Sequence, residues 1–187
     1  MAKSLLKKGN LKLHSLEDID IEFITEKLYE FVNEYRKSNK LSSCIFILPA
    51  IKLEEFDQGE KLFWSVLRKV QEFDKLRYRH DPRVSSDPSD PQYSFSVKEE
   101  AMFVLFLHPK SPRKARRFKS PALVFNPHQQ FETLRKKNIF FKIRDAIRKR
   151  DLALQGESNE MLSDFGSRSE IFQYSGRKYG ESERIEL

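Results

Sequence analysis

Two rhythms of apolar and polar positions run along this 187-residue chain. Ile21, Ile24, Leu28, Phe31, Val32 and Tyr35 recur every three or four residues with Glu and Lys between them, which predicts an amphipathic helix over 21–37. The same spacing of Phe56, Leu62, Phe63, Val66, Leu67, Val70 and Phe73 predicts a second helix over 54–75, with Trp64 beside its apolar stripe as a core residue. The run 42–51 is short and continuously apolar, as a buried strand is. Segments 93–97 and 101–108 read as strands meeting in a hairpin at Lys98-Glu99-Glu100, and 122–125 as a further strand. A third helix is predicted over 128–149, with Asn126 as its N-cap and Pro127 in its first turn.

Between these elements, 79–92 is a polar loop whose prolines, Pro82, Pro88 and Pro91, hold their predecessors extended. Beyond Gln155 the chain carries Gly156, Gly166, Gly176 and Gly180 and reads as irregular. Helix, strand, helix, hairpin, strand, helix is the order of an α+β domain with a largely antiparallel sheet, here a single domain over 1–187. A Gly-rich strand-to-helix turn of the dinucleotide-binding kind does not occur.

Composition narrows the class. With 16 Phe and 39% hydrophobic residues the chain can bury one sizeable core, despite 34% charged residues and a mean hydropathy of −0.65. The net charge of +7 raises the question of a polyanionic partner, but acids are interspersed through the basic stretches, so nucleic acid is not expected. Cys44 is the single cysteine, which excludes an intrachain disulfide or a cysteine-based zinc site and suits a reducing compartment. No apolar run approaches the ~20 residues of a membrane span, and Met1-Ala-Lys-Ser-Leu-Leu lacks an apolar signal core. A cytoplasmic protein without a membrane partner is expected.

Two histidines stand out. His108 ends an apolar strand and precedes a basic loop with Arg113, Arg116 and Arg117. A neutral imidazole there can ligate a metal or haem iron, and the guanidiniums can pair with carboxylates or phosphates; it can equally be a strand-capping residue beside a solvated loop. His128 opens the third predicted helix, where polar ligands or a local hydrogen bond are both reasonable. His14 and His80 read as surface residues. The stretch 144–151 interleaves acids and bases at helical spacing and reads as a salt-bridged helix face. Gln155-Gly-Glu-Ser-Asn159 and Gln173-Tyr-Ser-Gly-Arg177 cluster hydrogen-bonding groups around glycines, as loops that wrap a small polar ligand do. No HExxH, P-loop or GxSxG motif is present, so spacing alone identifies no catalytic residue.

Several longer strings resemble the YqcI/YcgG family of bacterial proteins. They are Leu62-Phe-Trp64, Asp81-Pro-Arg-Val-Ser85, Asp87-Pro-Ser-Asp-Pro91, Leu107-His-Pro109, Ser111-Pro-Arg113, Arg116-Arg-Phe118, Phe125-Asn-Pro-His-Gln-Gln-Phe131, Ile147-Arg-Lys-Arg-Asp151, Leu154-Gln-Gly156, Ser169-Glu170 and Gln173 to Arg177. The resemblance implies a haem-dependent oxygenase-like protein that N-hydroxylates a guanidine or amine of a small, arginine-like substrate. It implies His108 as axial ligand, with His128 as the alternative, and Arg113, Arg116 and Arg117 at the haem propionates. Asn126, Gln130, Gln155, Asn159, Gln173, Tyr174 and Arg177 would contact substrate. The family usually carries a Phe-Pro-Cys segment, which would lie upstream of Ala2 and leave this domain shortened at its N-terminus. The chain differs from the family at Lys98-Glu99-Glu100, Glu160 and Ile171-Phe172, which raises the alternative of an inactive member serving as a binding or interaction protein.

Overall fold

The computed structural model describes residues 10–38, 40–49, 55–180, 182–185 and 187. Along these the chain forms β1 (Leu11–Ser15), α1 (Ile21–Ser38), β2 (Ser43–Ile47), α2 (Phe56–Lys75), β3 (Phe95–Val97), β4 (Glu100–Leu107), β5 (Ala122–Pro127), α3 (His128–Lys136) and α4 (Phe140–Gln155). Single 3-10 turns lie at Lys114–Arg116 and Glu170–Gln173. The sheet order is β1-β2-β5-β4-β3, with β1 parallel to β2 and every other pairing antiparallel. This is the expected α+β domain. Ala2-Lys-Ser-Leu-Leu, the last two residues of the predicted strand 42–51 and the first of the predicted helix 54–75 lie outside the described residues.

Alternation along β4 decides what each face of the sheet meets. Met102, Val104 and Phe106 are fully buried, whereas Phe103, Leu105 and Leu107 are half-buried. The first set faces α1 and α2, which pack on each other, and Phe106 stacks on Phe63 of α2 at 5.0 Å. The second set meets α3, where Phe131 lies edge-on to Phe103 at 6.1 Å. In β2, Cys44 is buried in the core, and burial pushes its thiol up to about 12.

The β3–β4 hairpin turns at Lys98 and Glu99, both at positive φ (52° and 54°), a conformation usually left to Gly or Asn. Arg36 of α1 holds it there, donating from Nη2 to the carbonyls of Lys98 (2.9 Å) and Glu99 (2.8 Å) and from Nε to Glu100 (3.2 Å). Because β3 has three residues and β4 eight, much of the outer edge of β4 has no strand beside it among the described residues. Irregular chain covers it instead. Tyr174 O accepts from Phe106 N (2.8 Å), and Arg116 O accepts from His108 N (3.1 Å).

Three expectations are corrected, and one strand is added. The helix predicted over 128–149 is two helices, broken where Asn138 takes φ +55°. There Asn138 N donates to Arg135 O and Ile139 N to Leu134 O, the paired closure that ends a helix at a left-handed residue. Asn126 does not cap α3: it lies in β5, accepting from Ser43 Oγ (2.6 Å) and donating to Phe103 O (3.1 Å). His14 and His80 are half-buried, His14 stacked on Phe46 at 5.1 Å and His80 bonded to Ser85 O at 3.1 Å, and burial lowers the pKa of both. The edge strand β1, Leu-Lys-Leu-His-Ser, was not expected, although its apolar–polar alternation is visible in the sequence.

Candidate functional site

α3 starts directly from β5, so His128 leaves the central sheet at a fixed point. Its ring is buried and packs on Phe165 at 4.4 Å and Phe131 at 6.2 Å. Its Nε2 lies 3.6 Å from Glu170 Oε2, within ion-pair reach but longer than a hydrogen bond. Glu170 opens the second 3-10 turn and is held from behind. Its Oε1 accepts from Ser94 Oγ (2.6 Å) and Tyr174 OH (2.7 Å). Burial, with Glu170 and Tyr93 nearby, drives the Tyr174 hydroxyl pKa well upward, so it stays protonated and donates. Tyr174 OH also accepts from Phe95 N (3.0 Å), which ties the carboxylate to the sheet.

His128 and Glu170 lie in a cleft of about 180 Å³ between β4, α3, α4 and the segment 162–165. Its walls are apolar, among them Phe103, Phe131, Phe140, Ile143, Leu162 and Phe165. Arg135, Arg144 and Arg148 also line it, the first paired with Glu132 and the last two with Asp164 at 2.7 and 3.2 Å. Gln173 lines it too, its Nε2 donating to Ser163 Oγ (3.1 Å) and Ser163 O (3.3 Å). One imidazole against a buried carboxylate, apolar walls and three guanidiniums make a site for an amphipathic ligand with an anionic end.

The other sequence-derived site residues are engaged elsewhere. His108 is buried between Phe56, Phe106 and Gly59, and its Nδ1 accepts from Lys110 N (3.1 Å). A Cβ on Gly59 would come within 2.8 Å of its Cδ2 and 2.9 Å of its Nε2, so that nitrogen faces α2. Gly59→Ala is therefore expected to lower stability by about 1–3 kcal/mol through overpacking, despite the better helix propensity of Ala; a urea midpoint at or above wild type would contradict this contact. Arg113 pairs with Asp151 of α4. Arg116 donates to Gln173 O (2.8 Å) and Tyr174 O (2.9 Å), and burial pulls its guanidinium pKa down to about 10. Arg117 Nε donates to Ser111 O at 3.0 Å. These three arginines brace the backbone and α4 rather than converge on His108.

Gln130 Oε1 accepts from Ser42 N (3.1 Å), and Gln155 bridges Lys114 N and Pro112 O. Arg113, Gln155, Asn159 and Arg177 do meet, in a second and smaller cleft of about 150 Å³. There Arg177 is paired with Glu60 (3.0 Å) and Glu183 (2.9 Å). Of the two family departures near the ligand loops, Glu160 pairs with Lys178 at 2.6 Å in the open, while Phe172 packs under Arg168 and on Tyr179. Glu170 was missed as a site residue; the Ser169-Glu170 string was its only trace in the sequence. Among the described residues, no group of three or more His, Cys, Asp or Glu is placed to hold a metal ion, and no helix is long and apolar enough to cross a membrane.

The fold and this cleft define an α+β domain that carries a histidine–carboxylate pair at the base of an aromatic groove. The family model described as the YqcI/YcgG family matches residues 1–185, and the chain belongs to that family. No curated protein and no solved structure matches it.

Proposed function

We propose that the His128–Glu170 cleft is the functional site and that it binds haem to oxidise a small guanidine or amine substrate. What supports this is the pairing of a buried imidazole with a buried carboxylate inside aromatic walls. The residues fit a haem in donor chemistry. His128 offers the nitrogen, the Phe and Ile side chains offer an apolar wall, and Arg135, Arg144 and Arg148 suit carboxylates. When bound, haem supplies the iron and the redox chemistry by which dioxygen is used. The chain's own part is narrower. Glu170 orients the His128 ring, Ser94 and Tyr174 fix Glu170, and the aromatic wall excludes water. The buried Glu170 also suits the N–H groups of a cationic nitrogen compound.

His108 suits the ligand role less, because its Nε2 is turned onto α2 and its Nδ1 is occupied. A second reading, a binding protein without catalysis, is favoured by size. A volume of about 180 Å³ is below the ~300–1,000 Å³ of pockets for drug-sized ligands, so a macrocycle enters only if α4 parts from 162–165. Hemin titration separates the two. Expected is a saturable Soret band that is lost in His128→Ala and kept in His108→Ala, each variant shown to be folded by circular dichroism. Loss only in His108→Ala would reverse the ligand, and a protein that takes up no hemin would leave the binding reading.

A further inference from the structure

We infer that the outer face of α4, with the turn packed on its C-terminal half, is a docking surface for an anionic lipid bilayer. Charge is the first observation. Residues 135–155 hold eight Lys or Arg and two Asp, a net +6 out of +7 for the whole chain, so the remainder is close to neutral. Inward, Arg144 and Arg148 line the cleft and pair with Asp164. Outward, Lys136, Lys137, Lys142, Lys149 and Arg150 are exposed and have no ion-pair partner among the described residues.

Exposed apolar surface is the second, independent observation. α4 is 16 residues long and none of them is buried. Nine large hydrophobic side chains are exposed among the described residues; Ile139, Phe141, Leu152 and Leu154 belong to α4 or its first flanking residue, as does Ile147, which lines the cleft instead. Phe118 follows the 114–116 turn, which is fastened to α4 by Gln155 Oε1 on Lys114 N (2.9 Å) and Lys114 Nζ on Leu154 O (3.2 Å). Arg117 and Lys119, on either side of Phe118, are exposed and add to the positive face.

The chemistry selects the partner. A nucleic acid backbone would use the cations but gain nothing from Leu152, Leu154 and Ile139. A second copy would bring one strongly positive face against another. An anionic bilayer takes both: headgroups pair with the Lys and Arg side chains, and apolar side chains enter the headgroup–acyl boundary. No membrane-spanning helix is needed for such surface association. The site inferred is independent of whether the cleft beneath it binds haem.

Flotation with vesicles of phosphatidylcholine alone, and of equimolar phosphatidylcholine and phosphatidylglycerol, tests it with the full chain. Expected is binding to the anionic vesicles alone, weakened by salt. Lys142→Glu with Lys149→Glu and Arg150→Glu should weaken it by on the order of 100-fold, and Leu152→Ser with Phe141→Ser by roughly ten-fold. All five side chains are exposed, and circular dichroism checks that the variants fold. Absence of anionic-vesicle binding, or equal binding to neutral vesicles, would overturn the inference. So would tighter binding to duplex DNA, abolished by the same charge reversals, or a dimer in light scattering that those reversals dissociate.

Discussion

Arg116→Met should destabilise the protein by about 3–6 kcal/mol, because charged hydrogen bonds contribute about 1.5–3 kcal/mol each and two are lost. Arg116 grips both Gln173 O and Tyr174 O. Its aliphatic part also packs where Gly176 passes, with Cγ 3.3 Å from the position of a Cβ on that glycine. Methionine keeps much of this packing but removes the donor to Gln173 O and leaves Tyr174 O with the Phe106 N–H. The loss should be local before it is global: limited proteolysis should cut first between 163 and 180, and hemin uptake, if wild type shows it, should fall in parallel. A urea midpoint within error of wild type would mean that the Phe106–Tyr174 backbone bond alone holds the segment.

Asp81→Asn should destabilise by about 2–3 kcal/mol at neutral pH, and the difference should close in acid. Asp81 is fully buried and accepts from Arg83 through both oxygens and from Ala101 N at 2.8 Å. Burial alone would raise its pKa, but Arg83 and the backbone N–H groups of Arg83 and Ala101 outweigh it, so the pKa lies below the ordinary value of 3.8. A group depressed in the folded state stabilises above its unfolded pKa and loses that contribution as pH falls through the folded one. Wild type and Asp81→Asn should therefore converge in thermal melts as pH falls below 3.8 and through the lowered pKa of the native carboxyl. A constant gap from neutral to acid would mean that the shape of the loop, and not the charge of Asp81, carries the effect. Arg83 also reaches Glu100 at 3.2 Å, so the same variant should loosen the β3–β4 hairpin.

The elements that show in the sequence are those whose pattern is set by one packed face. α1 and α2 are visible because each buries a single stripe against the sheet, and β4 because Met102, Val104 and Phe106 alternate with residues of the other face. The break at Asn138 was hidden because apolar residues continue through it from α3 into α4, and one left-handed residue shifts the register without interrupting the run. The candidate site was half legible. His128, at a predicted helix start, and Gln173, in a polar cluster beside a glycine, line one cleft. Glu170 was not, because an acid in an irregular tail is unremarkable until Ser94, 76 residues away, closes on it. The partners of Arg113, Arg116 and Arg117 are not legible in sequence, since a basic loop after a histidine looks the same whether it meets an anionic ligand, an acidic side chain or backbone carbonyls.

The brevity of β3 has a consequence for how the protein fails. The segment that seals the outer edge of β4 is the one that carries Glu170 and Gln173 into the cleft. Any event that frees it for ligand exchange, mutation or proteolysis also uncovers the strand Phe103-Val-Leu-Phe-Leu107, an apolar template for a foreign strand. Selection against aggregation and selection for the site thus fall on the same few residues, and substitutions there can be retained for solubility in a copy whose chemistry has lapsed.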